Sequence, residues 1–256
     1  MTIRNIKLTL EYDGTDFFGW QVQPERRTVQ GVVQESLRTL LQEPLKIIGA
    51  GRTDAGVHAA GQVASFTTQS KLLLREIRRG LNSLLPADVV AHRVQRVPEE
   101  FHARFAATGR RYLYRLSSRS TALRRRFLWT VPFTLDLPLM RLSALKLLGS
   151  HDFTAFCLGS QEKTHCRCTV QEISLKKKGD EVHLHIAANR FLHAMVRIIM
   201  ARLIEVGRGR LSAEAFGESI NNREVPQPIL VAPPQGLCLL EVMYPRSTRS
   251  GKGDGR

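Results

Sequence analysis

Residues 49–62 read Gly49-Ala50-Gly51-Arg52-Thr53-Asp54-Ala55-Gly56-Val57-His58-Ala59-Ala60-Gly61-Gln62, a glycine-rich loop that leads into a strand-like stretch from Gln62 to Thr68. Glycine lets a backbone bend sharply and come close to a ligand. The segment therefore presents Asp54 on a tight bend, with Arg52 as a candidate phosphate or carboxylate partner and His58 as a candidate hydrogen-bonding neighbour. That placement suits a nucleophile or a base. It equally suits a surface turn whose aspartate caps local backbone amides. The loop lacks the Lys-Ser/Thr pair of a P-loop, and its glycine spacing is not that of a dinucleotide fingerprint, which disfavours ATP or NAD as ligand.

Upstream of the loop, Ile6, Leu8, Leu10 and Tyr12 alternate with Lys7, Thr9 and Glu11, the period of a half-buried strand over residues 3–12. From Thr28, the residues Val29, Val32, Val33, Leu37, Leu40 and Leu41 take helical spacing, which stops before Pro44. Downstream, Leu73, Leu74, Ile77, Leu81, Leu84 and Leu85 predict a second amphipathic helix ended by Pro86, with Arg75, Arg78 and Arg79 on its polar side. Residues 89–97 and 110–116 read as strands; in the latter Tyr112, Tyr114 and Leu116 share one face. Beyond them the reading continues with a leucine-rich helix near 137–148, strands near 170–176 and 181–188, helices near 191–206 and 213–222, and a last strand at 237–244. Locally connected strands and helices of this kind indicate an α+β fold. The chain divides into a first half at 1–118, an arginine-rich connector at 119–136, a second half at 137–245 and a basic tail at 246–256 without apolar anchors, expected to be mobile.

The chain of 256 residues carries 38 Lys and Arg against 23 Asp and Glu, a net charge of +15. A polyanionic partner is the natural inference. No apolar run approaches bilayer-spanning length, and the opening residues lack the continuous apolar core of a secretory signal, so a cytoplasmic protein is expected. Cys157, Cys166, Cys168 and Cys238 are too few and too irregular for a disulfide framework. The spacing in His165-Cys166-Arg167-Cys168 is too tight for paired structural zinc ligands, and Asp13 with Asp16 offers two carboxylates without further ligands. No metal is expected.

Several ordered motifs resemble those of the TruA-type tRNA pseudouridine synthases. The loop itself, Gly51-Arg52-Thr53-Asp54-Ala55-Gly56-Val57-His58-Ala59 followed by Gly61-Gln62-Val63, resembles their catalytic loop. Before it stand Tyr12-Asp13-Gly14-Thr15, Gly19-Trp20-Gln21 and Thr28-Val29-Gln30-Gly31. After it come Phe101-His102-Ala103-Arg104-Phe105, Arg110-Arg111-Tyr112-Leu113-Tyr114 and Gly149-Ser150-His151-Asp152-Phe153, then Phe191-Leu192-His193 with Met195-Val196-Arg197, and Gly236-Leu237. The resemblance spans residues 3 to 245. Phe17-Phe18 and Cys238 depart from it, at positions where these enzymes often carry more polar aromatics and an aromatic respectively.

The resemblance implies two α/β-sandwich-like halves sharing one continuous, mainly antiparallel sheet around a central basic cleft. It implies isomerisation of uridine to pseudouridine at positions 38, 39 and 40 of the tRNA anticodon stem-loop, without a cofactor, by a homodimer. On it, Asp54 is the nucleophile, Arg197 pairs with that carboxylate and Tyr112 stacks on the target base, while Tyr114 is structural. Leu237 packs near the base, although Leu239 fits the pattern closely as well. Arg52, His58, Gln62, His102 and Arg104 support the site or grip RNA. Two other readings remain open: a non-catalytic RNA-binding protein or chaperone, and a nucleoside hydrolase that cleaves without rejoining.

Overall fold

A computed structural model of the chain describes residues 3–159, 165–222 and 228–245; the basic tail predicted at 246–256 lies outside them. The first alternation becomes strand β1, Arg4–Tyr12, with Ile6, Leu8, Leu10 and Tyr12 buried on one face. Helix α1, Val29–Leu41, starts where the Thr28 hydroxyl accepts the Gly31 amide, and buries Val29, Val33, Leu37 and Leu41. Such a cap satisfies one of the amides that an α-helix leaves unpaired at its start. The glycine-rich loop lies between β2, Ile48–Gly49, and β3, His58–Thr68. Helix α2, Leu74–Leu84, opens with the Glu76 carboxylate accepting the Leu73 amide at 2.7 Å, and packs on β4, Val89–Val97, and on α1. Strand β5, Gly109–Ser117, follows, and two residues inside the predicted connector, Trp129–Thr130, form β6 beside it.

In the second half, Asp136 caps α3, Leu137–Leu145, by accepting the Leu139 amide at 2.8 Å. There follow β7, Gly149–Asp152; β8, Arg167–Lys178; and β9, Glu181–Ala188. Then come α4, Met195–Gly207; α5, Ala213–Glu218; and β10, Leu237–Met243. Helix α3 packs across β8 and α4, and α4 lies over β5. Periodicity placed the start of α4 near Phe191, but the helix begins at Met195. Ala194 takes a left-handed conformation with φ +58°, which sets Phe191–Ala194 outside the helix.

All ten strands among the described residues join in one sheet with β4-β1-β3-β10-β5-β9-β8-β7 along its main path, β2 beside β3 and β6 beside β5. Pairing is antiparallel except between β3 and β10 and between β5 and β6, so the fold is α+β with one large, mainly antiparallel sheet. The last strand among the described residues thus inserts between β3 and β5. Register aligns Tyr12, Ala59, Leu239, Tyr112, Ile186 and Ile173 in a row across β1, β3, β10, β5, β9 and β8. Directly opposed residues share a face, and all six are buried. Tyr12 in this row reaches the glycine-rich loop at Thr53.

Candidate active site

The loop that carries Asp54 is held along its length by hydrogen bonds to neighbouring segments. The Ala50 amide donates to the Val63 carbonyl at 2.8 Å, and Gln62 donates its side-chain amide to the Gly51 carbonyl at 2.9 Å. The Trp20 amide donates to the Thr53 carbonyl at 3.0 Å, while the Thr53 and Tyr12 hydroxyls lie 2.8 Å apart. Gly56, at φ +76°, donates its amide to the Phe17 carbonyl at 3.2 Å. A Cβ there would come within 2.9 Å of Pro234 as well as strain the backbone, so only glycine suits this bend. At Gly14 a Cβ would collide with the Val57 carbonyl, which explains the close approach of the first turn to the loop.

Asp54 meets Arg197 from the first turn of α4, 143 residues further along the chain, with Oδ2 3.0 Å from one guanidinium nitrogen. The Arg197 Nε donates to the Ala232 carbonyl at 2.8 Å, so the guanidinium is fixed at two points. The carboxylate side chain is 24% exposed and the guanidinium side chain 16%, enough shelter to strengthen the pair and enough opening to admit a substrate. Oδ1 accepts no hydrogen bond from the described residues; His193 Nε2 stands 3.7 Å from it. One oxygen is anchored by Arg197, and the other has His193 as its nearest cation-forming neighbour.

The pocket around this pair is lined by Gly51, Arg52, Thr53, Val57, Arg110, Tyr112, Phe191, Leu192, Ala194, Met195, Val196 and Leu237. Tyr112 meets Phe191 edge to face, with ring centroids 5.0 Å apart. Burial, reinforced by Tyr12 and Asp54, raises the Tyr112 pKa and keeps its hydroxyl neutral. Tyr114, two residues on, is fully buried and donates its hydroxyl to the Pro233 carbonyl at 2.7 Å. Leu237 reaches the pocket, whereas Leu239 is enclosed in the core. The pocket thus brings Asp54, Arg52 and Arg110 together with Tyr112, Phe191, Leu192 and Leu237, and Arg197 reaches it through its bond to Asp54.

The other candidate residues lie away from the slot. His58 is buried: Nδ1 accepts the Gly14 amide at 3.0 Å and Nε2 donates to the Arg126 carbonyl at 2.8 Å. Its ring packs on Phe127 at 4.9 Å, which ties the connector to the loop. Burial lowers its pKa against the opposing pull of Asp13, in keeping with a neutral ring. Gln62 is fully buried behind the loop. His102 and Arg104 sit on a turn outside the slot, fastened to it by Arg110, one of whose nitrogens donates to the carbonyls of Ala50 at 2.6 Å and Arg104 at 3.2 Å. Neither Arg110 nor Phe191 was among the candidate site residues. A signal for Arg110 was present, because strand parity places it on the same face as Tyr112 and Tyr114.

A carboxylate paired with an arginine beside a pocket that contains Tyr112, on an α+β sheet, is an arrangement suited to an enzyme that uses a carboxylate in its chemistry. Residues 9–106 and 144–245 match the family model described as tRNA pseudouridine synthase. The chain is 44% identical over 246 residues to tRNA pseudouridine synthase A of Citrifermentans bemidjiense, covering 94% of this chain and 98% of the relative. It is 40% identical over 245 residues to tRNA pseudouridine synthase A 2 of Clostridium perfringens, covering 94% of this chain and all of the relative. Among solved structures, a chain from a crystal structure of a Cbf5-Nop10-Gar1 complex aligns at TM-score 0.31 and 12% identity over 76% of this chain and 53% of its own, a likeness too slight to build on. The chain belongs to the tRNA pseudouridine synthase family and is an isomerase.

Proposed function

We propose that this protein converts uridine to pseudouridine at positions 38, 39 and 40 of the tRNA anticodon stem-loop, with Asp54 as the nucleophile. The observation that carries the reading is the Asp54–Arg197 pair at the end of the slot containing Tyr112 and Leu237. The reaction breaks the bond from uracil N1 to the ribose, turns the base and joins C5 to the same sugar carbon, after which the C5 proton leaves. No atom is gained or lost overall. A carboxylate that holds one fragment covalently keeps it in place while the other turns. Arg197 supports this by holding the Asp54 carboxylate in place through Oδ2.

The slot offers the base the apolar side chains of Tyr112, Phe191 and Leu237, and Arg52, which also lines it, is exposed with no ion-pair partner among the described residues. A uridine in a folded stem-loop must leave its stack to reach such a slot. The net charge of +15 suits phosphate contacts, which would weaken as salt rises. Asp54, Tyr112 and Arg197 form the reaction centre, and Arg52, His102, Arg104 and Leu237 contact RNA, with His58 and Gln62 supporting the loop from behind. We place the enzyme in the cytoplasm as a homodimer that binds tRNA; among the described residues no helix is long and apolar enough to cross a membrane.

The test is release of tritium from unmodified tRNA labelled at uridine C5, by the wild-type protein and by Asp54→Ala. Release by wild type alone, with product mapped to positions 38–40, is the expected result. Binding of tRNA without release by folded wild type would replace the isomerase with an RNA-binding protein, and free uracil would indicate a hydrolase.

A further inference from the structure

The turn beside the active-site slot carries an aromatic ring that the chemistry above leaves unused. Phe105 is 78% exposed, the largest exposure of any aromatic side chain among the described residues. It is nevertheless held in place. His102 stacks on it with ring centroids 4.3 Å apart and planes 29° from parallel, and the Arg104 guanidinium lies 5.7 Å from its centroid. The turn beneath is fastened as well: His102 Nδ1 accepts the amides of Arg104 and Phe105, both at 3.2 Å, and the His102 carbonyl accepts the Ala106 amide at 2.9 Å. A scattered exposed apolar side chain needs no explanation. A ring braced by a second ring and an arginine is a prepared surface.

Its surroundings are cationic. Arg104 and Arg190 are exposed, and neither their side chains nor that of Arg110 forms an ion pair with the described residues. Burial lowers the Arg110 pKa, Tyr112 and Tyr244 oppose that shift, and the charges of Arg104 and Arg190 add to it weakly. Arg110 binds the Ala50, Arg104 and Asn189 carbonyls, which joins the Phe105 turn, the Asp54 loop and the segment before Arg190. An exposed aromatic ring with the Arg104 guanidinium beside it, on a turn that Arg110 joins to the segment before Arg190, matches a nucleotide, with its flat base and its charged phosphate.

We infer that Phe105, backed by His102, is a stacking platform for an unpaired nucleotide of the RNA next to the one in the slot, and that Arg104 and Arg190 take the adjoining phosphate. The platform deepens the proposed function and rests on it for the identity of the RNA. It would hold the strand in a splayed course while its neighbour turns in the slot.

The test measures the Kd of unmodified tRNA for the wild type, Phe105→Ala and Phe105→Trp, together with C5 tritium release. Because the ring is exposed, Phe105→Ala should melt with the wild type. Its Kd and KM should rise about tenfold or more, with kcat little changed, and Phe105→Trp should restore binding. Removing the base from one loop nucleotide at a time should reveal one position whose loss weakens wild type but weakens Phe105→Ala no further. Arg190→Gln should lower the slope of log Kd against log salt by about one. Equal tRNA affinity of wild type and Phe105→Ala would overturn the platform. So would a change in sedimentation that accounts for the lost affinity, which would put the ring in a contact between subunits. Affinity decides the platform and tritium release decides the isomerase, so the two readings fail separately.

Discussion

Two strand boundaries on β3 differ in length and consequence. On one side β3 pairs with β1 in a long antiparallel ladder from Arg4 opposite Thr68 to Tyr12 opposite Ala59. On the other it meets β10 in parallel through Cys238 opposite His58 and Leu239 opposite Ala59 alone. The long ladder buries Ile6, Leu8 and Leu10 and builds core, each such side chain contributing about 1.5–3 kcal/mol. The short seam is where the slot lies, because chain from both sides can converge there. The glycine loop comes from the β3 side; Tyr112 on β5 and Leu237 on β10 come from across the seam, and Arg197 from the helix over β5. Core and candidate site occupy neighbouring boundaries of one strand.

The sharpest way to separate them is Asp54→Asn, which keeps an oxygen for Arg197 but removes the proposed nucleophile. Turnover should fall by about 10⁴-fold or more while the melting temperature stays near that of wild type. A variant that kept substantial tritium release would break the assignment of chemistry to the seam. Arg197→Met should do two things at once: cut kcat by about 10²–10³-fold, and cost about 2 kcal/mol in urea unfolding, because it strips the Asp54 carboxylate of its partner. Loss of activity without loss of stability would mean that the pair does not fasten the seam.

At Tyr112 the ring and the hydroxyl can be told apart. The hydroxyl makes no hydrogen bond with the described residues, so Tyr112→Phe should remain close to wild type in stability. Tyr112→Ala empties a site in the row across the sheet and should cost about 3 kcal/mol along with most of the activity. Equal damage from both substitutions would shift the role from the ring to the hydroxyl.

The smallest expected effect concerns His58. Its folded pKa is lowered, mainly by burial, so the unfolded chain binds the proton more readily. Its contribution is therefore fully present above the unfolded value of about 6.5 and is lost as pH falls through that value toward the folded one. His185 shifts in the same direction, and Asp13 titrates in a lower window. Urea unfolding between pH 7 and pH 5 should thus show a steeper loss for wild type than for His58→Gln. Identical slopes would remove His58 as the pH-sensitive tie between the loop and the connector.

Much of this was legible in the chain. The alternation of β1 and the periods of α1 and α2 are local patterns, and they became the elements they predicted. The glycine loop announced a special backbone, and the ordered motifs announced the family. Other features left weaker marks. β2, β6 and β7 are too short for periodicity to register, and β3 starts at His58 because it finds partners there in β1 and β10. His58 and Gln62 stood beside Asp54 in sequence and looked equally available, yet both are buried behind the loop. Arg110 stood far from it and lines the slot.

By itself the sequence determined the kinds of elements, the basic character of the surface and the presence of one loop built around a carboxylate, because propensity, periodicity and charge act over a few neighbouring residues. Only the tertiary structure decided that β10 inserts between β3 and β5, that Ala194 ends the approach to α4, and that Arg197 meets Asp54 from 143 residues away. Strand order and ion-pair choice depend on contacts between distant segments, which form only when those segments fold against one another and leave no repeat in the local chain.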